Sequence, residues 1–404
     1  MASVTGFTAA RMKEIEDTTV VDGEVLGDNL ILRQRDGTEI NAGNVRGASG
    51  EAAYAQGILL PAIKLNTMGP TQWWFSSPTV AGAAASVDFS PDGRFLAVGH
   101  EVTPFISVFR MSGTLNPGPK LVDPTTLPPA QVTGVSWSPE GRFLVATHPT
   151  APYFTAYIFD GTTLKALPTP ATPPTGVAYA VSWSPNGQYI AIGHANAPCF
   201  SVYKFNGFGF TKMTNPASVP TLSGRSTSWS PDGRFLAVGH QSAPYLSVYS
   251  ADGGALLKIT NPATMPTGIG YDVAWSPNGR YLAVMHATSP YISVYAFDGG
   301  VLTKLANPAS LPSNIGLSCA WSPDSRYLTF TTSSSEECKT YIIEDGTFRD
   351  LFSNNYAAAL NRSDVAWSPD GKTVAYAITT SPFTEMFDTV CSYYADGTLD
   401  VSYQ

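Results

Sequence analysis

A twelve-residue stretch, Trp275 to His286 (WSPNGRYLAVMH), recurs in variant form through the C-terminal four-fifths of the chain and restricts the possible folds more than any other feature. Its leading aromatic falls at Phe89, Trp137, Trp183, Trp229, Trp275, Trp321 and Trp367, at intervals of 48, 46, 46, 46, 46 and 46 residues. Ser90 to His100 and Ser230 to His240 are identical (SPDGRFLAVGH), which marks the copies as duplications. A fixed period of this length signals a repeat architecture, in which each unit buries its apolar faces only against its neighbours.

Each copy reads as four strands. A short run ends in the aromatic, Ser-Pro-Asp/Asn/Glu-Gly/Ser makes a turn, and a run of the Arg-Phe-Leu-Ala-Val-Gly-His type follows. A proline-bearing loop then leads to a run such as Tyr291 to Tyr295, an Asp-Gly turn, and a last run such as Leu302 to Leu305. The second run is apolar on both faces, as a strand sandwiched between two sheets should be. Seven four-stranded sheets around an axis predict an all-β chain, a seven-bladed β-propeller over residues 71–404. The 36 Gly, 32 Pro and 13% charged residues agree with short strands and many turns. Two segments compete to complete the seventh blade: Thr398 to Ser402, and Gln72 to Phe75, which would latch the ring from the N-terminal side.

Residues 1–50 have a different texture. Thr8 to Asp17 could form a short helix, and Thr18 to Val21, Asp28 to Leu32 and Arg35 to Ile40 are β-like pieces separated by Asp-Gly or Gly-Asp turn signals. So small an α/β module has little core of its own, so packing against copies of itself or another protein is expected. Residues 51–70 read as a linker.

The run from Glu14 to Gly50, with its Asp36-to-Gly47 segment DGTEINAGNVRG, resembles the N-terminal module of minor tail and fibre proteins of tailed bacteriophages. In that family the segment leads into collagen-like repeats and a receptor-binding domain; here only Gly47 to Gly50 precede other sequence, and the stalk is absent. The Trp-Ser-Pro-Asp-Gly-Arg turn resembles bacterial and phage WD-repeat-like propellers, over residues 85–404. The resemblances imply a virion protein at a tail tip, fibre or capsid surface. Residues 1–50 would dock it on other virion proteins and oligomerise it, with a trimer favoured. The propeller would recognise a host-surface glycan or protein. The alternatives are a capsid or tail decoration protein that binds no receptor, and a glycan-degrading propeller enzyme.

Composition excludes some classes. A net charge of −8 with no Lys/Arg-rich run disfavours nucleic-acid binding. No apolar run is long enough to span a membrane. The four cysteines, Cys199, Cys319, Cys338 and Cys391, show no CxxC pairing, and read as free thiols.

Candidate chemistry is sparse. All five histidines, His100, His148, His194, His240 and His286, stand 11 residues after their aromatic, where blades six and seven carry Thr332 and Ile378. Neighbouring copies in such a ring are about 9 Å apart, too far to share a metal with bonds of about 2 Å. The histidines are therefore expected to brace loops, and no metal or cofactor is expected. The acids noticed in the turns repeat around the ring, whereas an active site needs unlike groups to converge, so the expectation is no catalytic residue and no enzyme. Variation is more telling. Four residues before the aromatic the chain reads Ala85, Thr133, Tyr179, Arg225, Tyr271, Leu317 and Ser363. Tyr179, Arg225 and Tyr271, with nearby Arg362, are expected to cluster on the loop face as a binding surface. Phe105, Tyr153, Tyr245 and Tyr291, each after a proline, extend it or brace the loops.

Overall fold

In a computed structural model the described residues are 20–26, 29–34, 39–44, 78–111, 117–251, 254–333, 337–355, 362–380 and 383–388. The chain divides into two compact units, Trp74–Thr389 and the remainder, Met1–Trp73 with Val390–Gln404. In the second of these, β1 (Val20–Leu26), β2 (Asn29–Gln34) and β3 (Glu39–Asn44) form an antiparallel meander. Asp22-Gly23 is not the turn expected from its sequence: both residues lie inside β1, opposite Arg33 and Leu32. A strand glycine costs only about 1 kcal/mol, less than the ladder that β1 completes by continuing along β2. The expected helix Thr8–Asp17 and the linker 51–70 lie outside the described residues.

Trp74–Thr389 is a seven-bladed β-propeller. Each blade is an antiparallel meander whose strands, A to D from the axis outward, follow in chain order. Six blades have four strands. The seventh shows three among the described residues, Arg362–Trp367, Thr373–Ile378 and Thr384–Asp388. Both candidates for its fourth strand lie outside them. Blade seven meets blade one directly: Ser363 Oγ donates to the Ala84 carbonyl at 2.8 Å, Val87 N donates to Asp364 Oδ2 at 3.0 Å, and Thr384 Oγ1 donates to the Pro78 carbonyl at 2.6 Å.

The repeated residues explain themselves in this packing. In blade one Ser90 Oγ accepts from Phe95 N at 2.9 Å and donates to Asp92 Oδ1 at 2.7 Å, while the same Asp92 oxygen accepts from Arg94 N at 3.0 Å. Gly93 completes the turn at φ 69°. In blade six Ser325 takes the glycine's place at φ 64°, and its Oγ accepts from Asn278 N of the neighbouring blade at 3.0 Å. The leading aromatic is an interblade contact. Trp321 stacks on Tyr281 of the preceding blade at 5.8 Å, and its indole N–H donates to the Ala274 carbonyl at 3.0 Å. Strand B, buried along its whole length in Phe95–His100, Phe235–His240 and Tyr281–His286, is covered on both faces.

Strand A approaches the B-to-C loops so closely that side chains are excluded there. A Cβ on Gly270 would lie 2.5 Å from the Tyr245 carbonyl oxygen, which itself accepts from His240 N at 3.0 Å. Neither group can rotate away. Gly270→Ala is therefore expected to lower the melting temperature by roughly 3–8 °C through overpacking. Calorimetry on the two proteins checks this, and an unchanged midpoint would mean that the loop yields.

Candidate functional site

The five histidines are fully buried, and each ring reaches the hydroxyl seven residues later on strand C. His100 Nε2 meets Ser107 Oγ at 2.9 Å, His194 Nε2 meets Ser201 Oγ at 2.9 Å, and His240 Nε2 meets Ser247 Oγ at 3.0 Å. His286 Nε2 lies 3.1 Å from Ser293 Oγ, and His148 Nε2 lies 3.1 Å from Thr155 Oγ1. Burial pushes all five down to about 4, so the rings are neutral near pH 7. They tie strand B to strand C. Among the described residues no group of His, Cys, Asp and Glu is arranged to hold a metal ion.

Phe105, Tyr153, Tyr245 and Tyr291 do not start strand C, as their sequence suggests, but precede it in the turn, at φ between 65° and 73°. Their half-buried rings brace the B-to-C loops, Phe105 and Tyr153 against the blade cores. Cys199 and Phe383 occupy the same place at φ 72° and 68°. A conformation repeated in six blades belongs to the scaffold.

Tyr179, Arg225 and Tyr271 are brought together. Each occupies the bulge near the start of its strand A, where the register with strand B slips by one residue. A bulge re-aims a side chain that regular pairing would turn into the sheet. The Arg225 guanidinium carbon lies 4.4 Å from the Tyr179 ring centre and 5.9 Å from that of Tyr271. Gln241, not singled out in the sequence, accepts from Arg225 Nε at 3.0 Å and from Nη2 with its amide oxygen turned inward. The side chain of Arg362 lies outside the described residues.

One residue deeper, the channel carries acids that do not repeat. Three positions before the aromatic the ring reads Ser86, Gly134, Ala180, Ser226, Asp272, Ser318 and Asp364. Ser226 Oγ donates to Asp272 Oδ1 at 2.6 Å, and Cys319 N donates to Asp272 Oδ2 at 2.8 Å. Ser318 Oγ stands between the two acids, 3.1 Å from Asp272 Oδ2 and 2.7 Å from Asp364 Oδ1. A serine has one hydroxyl proton. Both contacts are therefore hydrogen bonds only when one of the two carboxyls carries a proton of its own. Asp88, one residue before Phe89, accepts from Trp137 N at 2.8 Å.

All three residues are half-buried. Burial raises Asp272 to about 6 and Asp88 to about 7, against the lowering hydrogen bonds, and the Asp364 charge adds to both. Burial raises Asp364 as well. Each also closes the inner edge of the next blade by accepting a strand A amide, so the acids are seated by the fold rather than free to move. The arrangement can hold and move protons near pH 6 to 7, under a cation held by two tyrosines and an amide. Repeated turn acids drew attention in the sequence; the signal for these was their failure to repeat.

The model of the family described as "Lactonase, 7-bladed beta-propeller" matches residues 135–321, just under half of the chain, which include Tyr179, Arg225, Gln241, Tyr271, Asp272 and Ser318. No curated protein matches. Among solved structures the chain is similar to hydrazine synthase of Kuenenia stuttgartiensis, with TM-score 0.62 and 14% identity over 80% of this chain and 99% of that one. It is similar to the β-propeller domain of Cps50 (Swd1) of Myceliophteria thermophila, with TM-score 0.59 and 16% identity over 78% and 99% of the two chains. A putative 6-phosphogluconolactonase from Bacteroides uniformis follows, with TM-score 0.56 and 19% identity over 70% and 88%. At these identities the likeness establishes the fold.

These findings correct two expectations. The tail or fibre role and the absence of enzymatic activity are both set aside, because residues 135–321 match the model of a family described as a lactonase. The virion reading rested on residues 14–50, which the family match does not include. The non-enzymatic reading weighed acids that recur in five of the seven turns, Asp92, Glu140, Asp232, Asp324 and Asp370, and passed over those that do not repeat.

Proposed function

We propose that the chain is a propeller hydrolase that opens a small cyclic ester at the mouth of its channel. The observation that carries this reading is the Asp272–Ser318–Asp364 chain, two carboxyls that must share a proton across one hydroxyl. Ester hydrolysis needs both a base and an acid, and a singly protonated pair offers both near neutral pH. The carboxylate takes a proton from water as its oxygen attacks the ester carbonyl carbon. The ring C–O bond then breaks, and the protonated carboxyl supplies the proton for the leaving oxygen. Arg225, held by Gln241 between Tyr179 and Tyr271, lies one residue from Ser226 and serves as the binding group. The lactonase family match, which covers Asp272 and Ser318 but ends before Asp364, supports the same class of chemistry.

A second reading has its own observation. The facing oxygens of Asp272 and Asp364 lie within about 6 Å of each other through Ser318, near the spacing of about 5–5.5 Å in retaining glycosidases. A pH-stat assay of the full chain against sugar lactones, with aryl glycosides in parallel, decides between them. Lactone opening above the spontaneous rate, with an inflection near pH 6, is the expected result. Glycoside cleavage alone would select the second reading, and no acceleration of either substrate class would sink both.

A further inference from the structure

Arg225 is the sole charged residue in its ring of seven, and its electrostatic setting is unusual. A half-buried arginine ordinarily meets a carboxylate. Among the described residues Arg225 meets none: its partners are two aromatic faces and the neutral amide of Gln241. Its positive charge is thus held in place without being neutralised. The side of the guanidinium formed by Nε and Nη2 is taken by Gln241, and Tyr179 covers one face at 4.4 Å. The end formed by Nη1 and the outer N–H of Nη2 is left, and that end is the fork that matches a planar carboxylate with two parallel hydrogen bonds.

We infer that Arg225, positioned by Gln241, is a carboxylate-reading site, and that the preferred ligand is a monoanion bearing one carboxylate beside a ring. This rests on the hydrolase reading for its place in a reaction, so the substrate would be a lactone that carries a free carboxylate. The surroundings select against a phosphate dianion. One guanidinium supplies a single positive charge, the six equivalent positions of its ring are uncharged, and the next ring position carries Asp272 and Asp364. A second negative charge would face those carboxylates across a partly buried site, where repulsion between like charges is stronger than in bulk water. Tyr179 and Tyr271 provide apolar surface for the ring.

Gln241 is a positioning residue in this scheme. Its amide fixes the fork without cancelling the charge, whereas a carboxylate at the same place would pre-empt the ligand. The test is equilibrium binding by calorimetry on the full chain, with D-galacturonate, benzoate, D-galactose and D-galactose 6-phosphate as probes. Galacturonate is expected to bind at least tenfold more tightly than galactose or its 6-phosphate, with benzoate retaining part of that affinity. Gln241→Glu should abolish carboxylate binding, Gln241→Ala should weaken it about tenfold, and Arg225→Lys should lose the preference over phosphate, each with an unchanged melting temperature. Equal binding of galactose and galacturonate, no response to either carboxylate, or full carboxylate affinity in Gln241→Glu would each overturn the inference. Binding without turnover would sink the hydrolase reading and keep this one. Turnover of neutral lactones without carboxylate binding would do the reverse.

Discussion

Asp272→Asn and Asp364→Asn are each expected to lower lactone turnover by about 10²- to 10⁴-fold, the usual contribution of a positioned acid or base, while leaving the protein as stable as before or more so. The two effects have one cause. Burial raises both carboxyls, which means that the fold disfavours their charged forms near neutral pH. An amide is neutral at every pH and still offers an oxygen to Cys319 N or Val87 N, the backbone donors that these acids satisfy. It cannot exchange a proton with Ser318. Activity and stability should therefore move in opposite directions, as they do where a site is held in a disfavoured state. The rate inflection near pH 6 should vanish in Asp272→Asn. A variant that kept wild-type turnover would remove the pair from the chemistry and leave it as an edge seal of strand A.

Acidification from pH 7 to pH 5 is expected to destabilise the propeller, and here two sets of buried groups oppose each other. The five histidines have folded values near 4 against an unfolded value of 6.5. A depressed value contributes stability that is present above pH 6.5 and is lost as pH falls towards 4, because the unfolded chain takes up protons that the folded one refuses. The three channel acids work the other way. Raised from 3.8 to about 6 in Asp272 and about 7 in Asp88, they contribute stability that is present below pH 3.8 and lost as pH rises through 6 to 7. Between pH 4 and 6.5 five depressed histidines oppose three raised acids, so the net effect is proton uptake on unfolding and a loss of stability on acidification. Urea midpoints at pH 7 and pH 5 measure it. A higher midpoint at pH 5 would mean that the carboxyls dominate and the histidines titrate freely.

Much of the architecture was open to inspection in the residues. The 46-residue period, the Ser-Pro-Asp-Gly turn and the doubly apolar second strand lead to seven blades without any coordinates, since each is a local pattern with a local cause. The histidine at the end of strand B is similar. Its partner hydroxyl lies seven residues on, within the same hairpin, so its structural role follows from spacing. Asp22-Gly23 shows the limit of such reasoning. A turn signal was overruled because β2 offered more paired backbone than a turn would have satisfied.

The candidate site is a different matter. Tyr179, Arg225 and Tyr271 were picked out by variation, yet nothing in the chain told that Arg225 would stack on both rings or that Gln241, 16 residues on, would take its side-on fork. The acids escaped because scaffold acids surround them in number. Asp272, Ser318 and Asp364 are 46 residues apart, and they meet only where three blades converge on the axis. Amino-acid order alone was enough for the blade, because the period, turn chemistry and burial of a repeat are settled among neighbours in sequence. The proton-sharing pair and the uncompensated arginine came from ring closure, which brings strands of separate blades within reach of one another.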